Sequence, residues 1–117
     1  MFTALAITTA LLAAICLNSA VMKLRENEQV VAIIGGTVGV PARYFPVLAA
    51  LEIAGAVGIV AGLWLAPLGI AAAIGLVAYF VGAVTGHLRV RDIKNVAMPL
   101  TPLALAIAVL VLRLATA

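Results

Sequence analysis

The stretch YFPVLAALEIAGAVGIVAGLWL at residues 44–65 is almost uninterruptedly apolar, and LGIAAAIGLVAYFVGAVTGHL at residues 68–88 repeats the pattern after the break Ala66-Pro67. About 20 consecutive apolar residues carry a helix across a hydrocarbon core of roughly 30 Å. Each stretch is therefore long enough to cross a bilayer. The break between them is short enough that the two helices must be antiparallel neighbours in a tight hairpin.

Working outward, two further blocks have the same character, from Phe2 to Met22 and from Ala97 to Ala115. The blocks are continuously apolar and rich in Ala and Leu, without the ten-residue alternation of an outer-membrane strand, so helices are indicated and not a barrel. The whole chain agrees: 67% of its 117 residues are hydrophobic and 9% charged, with a mean hydropathy of +1.33. So little polar surface cannot cover a water-soluble globule. The expected fold is all-α, an integral membrane bundle of four helices forming one domain over residues 1–117.

The first block lacks a basic region before it, and Lys23, Arg25, Glu26 and Glu28 follow it, so it is read as helix one and not as a cleaved signal. Four spans put the first and third connections on one side. Those connections hold Lys23, Arg25, Arg43, Arg89, Arg91 and Lys94, whereas the opposite side has Arg113 alone. Basic residues flanking spans stay in the cytoplasm. The expectation is a multi-pass protein of the cell (inner) membrane with both termini outside. The basic residues thus read as topology and not as a nucleic-acid surface, even at a pI near 9.6.

Trp64 falls at the outer interface and Tyr44 at the inner one, where amphipathic rings suit the headgroup layer. The segment from Glu26 to Val40 is apolar at Val30 to Ile34 but too short to span. It reads as an interfacial or re-entrant helix ended by a left-handed Gly35 and stopped by Pro41, a flap over the inner mouth of the bundle. In span four, Pro99 fits a first turn, while Pro102 either kinks the helix or restarts it with Thr101 as the cap.

Few strongly polar groups lie within the spans, and a carboxylate at membrane depth costs several kilocalories unless paired or neutral. Glu52 is therefore the most informative residue. It lies roughly 12 Å inside Tyr44 along its helix and shares its face with Gly55 and Gly62, so it points into the bundle. Tyr79 on span three lies at a similar depth, within hydrogen-bonding range if the helices are suitably rotated. His87 ends span three and Lys23 ends span one, with Asn18 about 7.5 Å deeper. Each alone has a structural reading: Asn18 as interhelical glue, Lys23 snorkelling to headgroups, His87 as an interfacial residue. Together they converge on one inner-half cavity, with Glu52 and His87 as candidate proton-transferring residues and Asn18, Lys23 and Tyr79 as candidate ligand contacts. Asp92, Arg89, Arg91 and Lys94 read as a solvated loop.

Other chemistries are missing from the sequence. There is no phosphate loop, GxGxxG, HExxH or GxSxG; Gly35 to Gly39 is Gly-rich but without the context of a nucleotide site. One histidine cannot give bis-histidine haem ligation. Cys16 is the single cysteine, so it forms no intrachain disulfide, redox pair or cysteine-based metal cluster.

The Lys23-Leu24 end of span one, the turn Gly39-Val40-Pro41, the stretch Leu51-Glu52-Ile53-Ala54-Gly55-Ala56, and above all Gly82-Ala83-Val84-Thr85-Gly86-His87-Leu88-Arg89 followed by Asp92 and Pro99 resemble the DoxX-like family of small four-span membrane proteins. The resemblance covers nearly the whole chain. It implies a four-helix bundle in which Lys23, Glu52 and His87 match recurrent polar positions. Relatives are linked to quinone-dependent sulfur oxidation, to membrane oxidoreductase complexes handling thiol stress and, in animals, to chaperoning of receptor channels. A thiol relay like that of vitamin K epoxide reductases is excluded with Cys16 alone.

Three functions remain as expectations. The first is an accessory subunit of a quinone-linked membrane redox system, with a quinone or other lipophile as ligand and no cofactor motif. The second is an acid–base enzyme acting through Glu52 and His87 on a quinone or isoprenoid-like lipid. The third is an assembly factor recognising membrane helices through the stripe Gly55, Gly58 and Gly62. Expected partners are the bilayer, oxidoreductase subunits and a second copy of the chain. A transporter is disfavoured because no paired discontinuous spans are evident.

Overall fold

In the computed structural model, residues 1–25 and 31–117 are described, and they form four long helices: α1 (Phe2–Leu24), α2 (Phe45–Ala61), α3 (Ala66–Arg89) and α4 (Ala97–Thr116). No strand occurs among the described residues. Each helix packs against its neighbours in sequence, and α1 against α4 closes the ring into an antiparallel bundle. Its longest extent is 41 Å, comparable to a bilayer with its headgroup layers.

By length and composition α1, α3 and α4 are each sufficient to cross a membrane, whereas α2, at 17 residues, is shorter. The sequence places the second span at Tyr44–Leu65, but its ends are used differently. Tyr44 closes a 3-10 turn, Ala42–Tyr44, and Leu63 and Trp64 lie in the turn to α3. Pro46 and Pro67 account for both starts, since a proline in the first turn sacrifices no helical hydrogen bond and presets φ.

The distribution of side-chain size follows from lipid as solvent. Leu51, Val57, Ile74, Val81, Ile107 and Val111 are exposed, while Ala20, Ala49, Ala73 and Ala106 are completely buried. Large apolar groups gain nothing by leaving hydrocarbon for an apolar interior, so the interior is made of small residues that allow close backbone approach. The approach is tightest between α2 and α3. A Cβ added at Gly62 would lie 2.2 Å from Gly69 Cα, and one at Gly58 would lie 2.6 Å from Ala72 Cβ. Away from the basic connections, Leu5, Leu12, Cys16, Ala56, Ile59, Ala73, Leu76, Ala106 and Val109 form a packed apolar core.

The connection between α1 and α2 departs from expectation. Residues 26–30 of the expected interfacial segment lie outside the described residues. The remainder forms a π-helical turn, Val31–Val38, and Val40 N–H donates to Ile34 O at 2.9 Å. The left-handed residue is Gly39, at φ 89°, and not Gly35. The wider π turn carries the helical path past Gly35, so the reversal is needed only just before Pro41. In α4 the chain does not restart at Thr101. The helix runs unbroken through Pro102, and Thr101 Oγ1 donates back to Ala97 O at 3.2 Å, satisfying a carbonyl within the helix instead of capping a new one.

Gly62→Ala is expected to force α2 from α3 and destabilise the bundle by about 1–3 kcal/mol, seen as a lowered melting temperature in detergent. Gly75→Ala, where an added Cβ meets nothing within 4 Å, is the control and leaves the melting temperature unchanged or slightly raised.

Candidate functional site

Glu52 sits seven residues into α2 and is completely buried. Three helices converge on its Oε1. Lys23 Nζ, from the last turn of α1, lies 2.5 Å away, and the Tyr79 hydroxyl of α3 donates at 2.9 Å. Ser19, one turn before Lys23, accepts from Lys23 Nζ at 2.7 Å and donates to Oε1 at 3.3 Å. Three donors on one oxygen describe a carboxylate. Each buried ion is costly to desolvate, by several kcal/mol, and only close pairing with added hydrogen bonds offsets that cost. Oε2 of the same carboxylate is buried with no hydrogen-bond partner among the described residues.

A second polar pair is assembled at the end of α3. Asp92 N–H donates to His87 O at 2.8 Å and Arg91 N–H to Leu88 O at 3.0 Å. These are the two bonds of a Schellman ending, with Arg91 in the left-handed position at φ 58° that glycine normally takes. The reversal brings the Asp92 carboxylate to His87 Nδ1 at 2.9 Å, and Asn95 Nδ2 supports it at 3.0 Å and 3.2 Å. Desolvation pushes the Asp92 carboxyl up, but the hydrogen bonds from His87 and Asn95 and the adjacent imidazole outweigh it and hold it below its ordinary value. With the carboxylate accepting at Nδ1, that nitrogen carries the proton and Nε2 is the uncommitted ring position. His87 is buried, 6% exposed.

Between these two pairs lies a cavity of about 630 Å³. Its walls are apolar over most of their area, from Ile15, Met22, Leu48, Phe80, Met98 and Pro102, and Ile33, Ile34 and Val40 from the π-turn segment close one side. Lys23, Ser19, Tyr79 and His87 line it, with Asn18 and Arg89 at its exposed rim. The space is the product of backbone choices: Pro99 and Pro102 on α4 and Gly82, Ala83 and Gly86 on α3 present little side-chain bulk there.

The sequence profile of the DoxX-like family matches residues 7–109. The chain belongs to the DoxX-like family. No curated protein and no solved structure matches it.

In this DoxX-like chain the five expected site residues divide into groups. Lys23, Glu52 and Tyr79 meet directly, and the hydrogen bond expected between Tyr79 and Glu52 is formed. His87 shares the cavity but is bonded to Asp92. Asn18 is exposed, and its amide reaches Met22 Sδ within its own helix at 3.6 Å, so it joins no other helix. Glu52 does not itself line the cavity on which these residues were expected to converge; Lys23, Ser19 and Tyr79 line it and bond to Glu52. Two participants went unrecognised. Ser19 was signalled only by its place four residues before Lys23. Asp92, read as solvated loop, is the partner of His87, because the helix reversal between them folds five residues of sequence into contact. The glycine stripe is also engaged: Gly55 faces Leu76, Gly58 faces Ala72 and Gly62 faces Gly69.

Lys23→Met is expected to leave a buried, unpaired carboxylate and to cost about 3–5 kcal/mol in denaturant unfolding, with most of that recovered in the double variant Lys23→Met, Glu52→Met. A single-variant cost no larger than a surface substitution, about 0.5 kcal/mol, would contradict the pairing.

Proposed function

We propose that this DoxX-like protein is a small membrane protein that holds a lipophilic ligand in the cavity between Lys23, Tyr79 and His87, as an accessory subunit of a quinone-linked membrane redox system. One observation carries the reading: a cavity of about 630 Å³ with mostly apolar walls and a few convergent polar groups, the usual form of a small-molecule site. The cation in its lining, Lys23, has its counter-charge in Glu52, and His87 is bonded through Nδ1 to Asp92. The interior thus favours a neutral head on an apolar body, as a quinone has. The basic connections at that end support an inner position for the site, with its opening toward the cytoplasm.

The dyad of His87 and Asp92 supports a second reading, acid–base chemistry on the same kind of lipid, because a carboxylate on Nδ1 fixes the tautomer and leaves Nε2 to move a proton. In that reading His87 contacts the ligand, and Glu52 acts through Lys23 and Tyr79.

The test is extraction of the protein purified from native membranes, with mass spectrometry of what accompanies it. A stoichiometric isoprenoid quinone or comparable lipophile is expected with the unaltered chain and is lost with Ala83→Leu, which fills the cavity, at an unchanged melting temperature. No such lipophile on the unaltered chain, or equal recovery on the filled variant, would refute the proposal.

A further inference from the structure

The hydrogen-bonding inventory of the cavity goes further than its polarity. Tyr79 gives its only proton to Glu52 Oε1, so the phenol oxygen is left as an acceptor. Ser19 gives its proton to the same oxygen and takes one from Lys23. His87 gives its Nδ1 proton to Asp92, and in its neutral form the ring keeps its lone pair at Nε2. Lys23 spends two of its three N–H groups, on Ser19 and Glu52, and retains one. Among the buried and half-buried lining groups, Tyr79 Oη and His87 Nε2 therefore accept nothing and Ser19 Oγ keeps a second lone pair, against one uncommitted donor. Buried Glu52 Oε2, which lies outside the cavity lining, also has no hydrogen-bond partner among the described residues. Asn18, Thr85 and Arg89 also line the cavity but are exposed, where water and headgroups serve them.

We infer that the cavity selects a lipophile whose head bears hydroxyl groups, a hydroquinone, phenol or alcohol, over one offering only carbonyl or ether oxygens. A hydroxyl donates to Tyr79 Oη or His87 Nε2 and accepts the remaining Lys23 N–H. A carbonyl can answer only Lys23 and leaves the two acceptors dehydrated and unpaired, and an unmade hydrogen bond at a buried group costs more than a made one contributes. Sites of this kind reject analogues lacking the hydroxyl far more strongly than apolar pockets reject a missing methylene. The inference rests on the lipophile reading above and names the chemistry of the head within it.

The test uses the unaltered chain in lipid nanodiscs under anaerobic conditions. Three probes share one decyl tail: a benzoquinone, the corresponding hydroquinone and the dimethyl ether of that hydroquinone. Calorimetry against empty nanodiscs corrects for partitioning into lipid. The hydroquinone is expected to bind at least about tenfold more tightly than either other probe, and His87→Ala is expected to narrow that gap. Equal or tighter binding of the quinone or the ether overturns the hydroxyl preference while leaving the lipophile reading standing. A gap unchanged in His87→Ala overturns the part assigned to Nε2. Absence of binding by all three overturns the lipophile reading and this inference with it.

Discussion

A carboxylate buried within a membrane-embedded bundle must be answered by a cation, and the pairing of Glu52 with Lys23 is the constraint from which the rest of this molecule follows. It fixes the last turn of α1 against α2 at the level of Glu52. Ser19 and Tyr79 complete the coordination of the same oxygen, so the third helix is held by the same group. In a lipid solvent apolar packing offers little net drive for helix association, which leaves such polar clasps and close small-residue contacts to hold the bundle. Both are present, the clasp joining α1, α2 and α3, and the Gly62–Gly69 approach joining α2 and α3.

The clasp also divides the bundle along its length. On one side of it the interior is filled by Leu12, Ile59, Leu76 and Val109, each at most 2% exposed. On the other side, toward the basic connections, the interior opens into the cavity. Proline and glycine on α3 and α4 keep that region open, and the π turn covers part of it. The Schellman ending of α3 then delivers Asp92 to His87 at the cavity wall, at the expense of a left-handed Arg91. The left-handed Arg91 is the helix-ending residue of that motif, and the reversal it makes sets the Asp92 carboxylate beside His87.

Helix number, the hairpin of α2 and α3, and the importance of Glu52 were legible in the sequence because hydrophobic block length and a lone intramembrane carboxylate are one-dimensional signals. The meeting of Lys23, Tyr79 and Glu52 was partly legible, since depth along a helix can be counted while rotation about its axis cannot. Rotation is what left Asn18 on the rim and brought Ser19 into the network. Asp92 was illegible for a different reason. Its contact with His87 depends on a left-handed residue, and Arg91 carries none of the sequence signal that a glycine there would have given. Likewise Gly35 and Gly39 are equally permissive in sequence, and only the π turn decides which of them reverses the chain.

The ionised state of Glu52, on which the pairing of α1 with α2 depends, is read by infrared difference spectroscopy of the protein in lipid when Glu52→Gln is subtracted. Paired carboxylate stretching bands at neutral pH that vanish in the variant are the expected result. A carbonyl stretch of a protonated carboxylic acid in their place would mean that no ion pair joins α1 to α2, and would contradict that pairing.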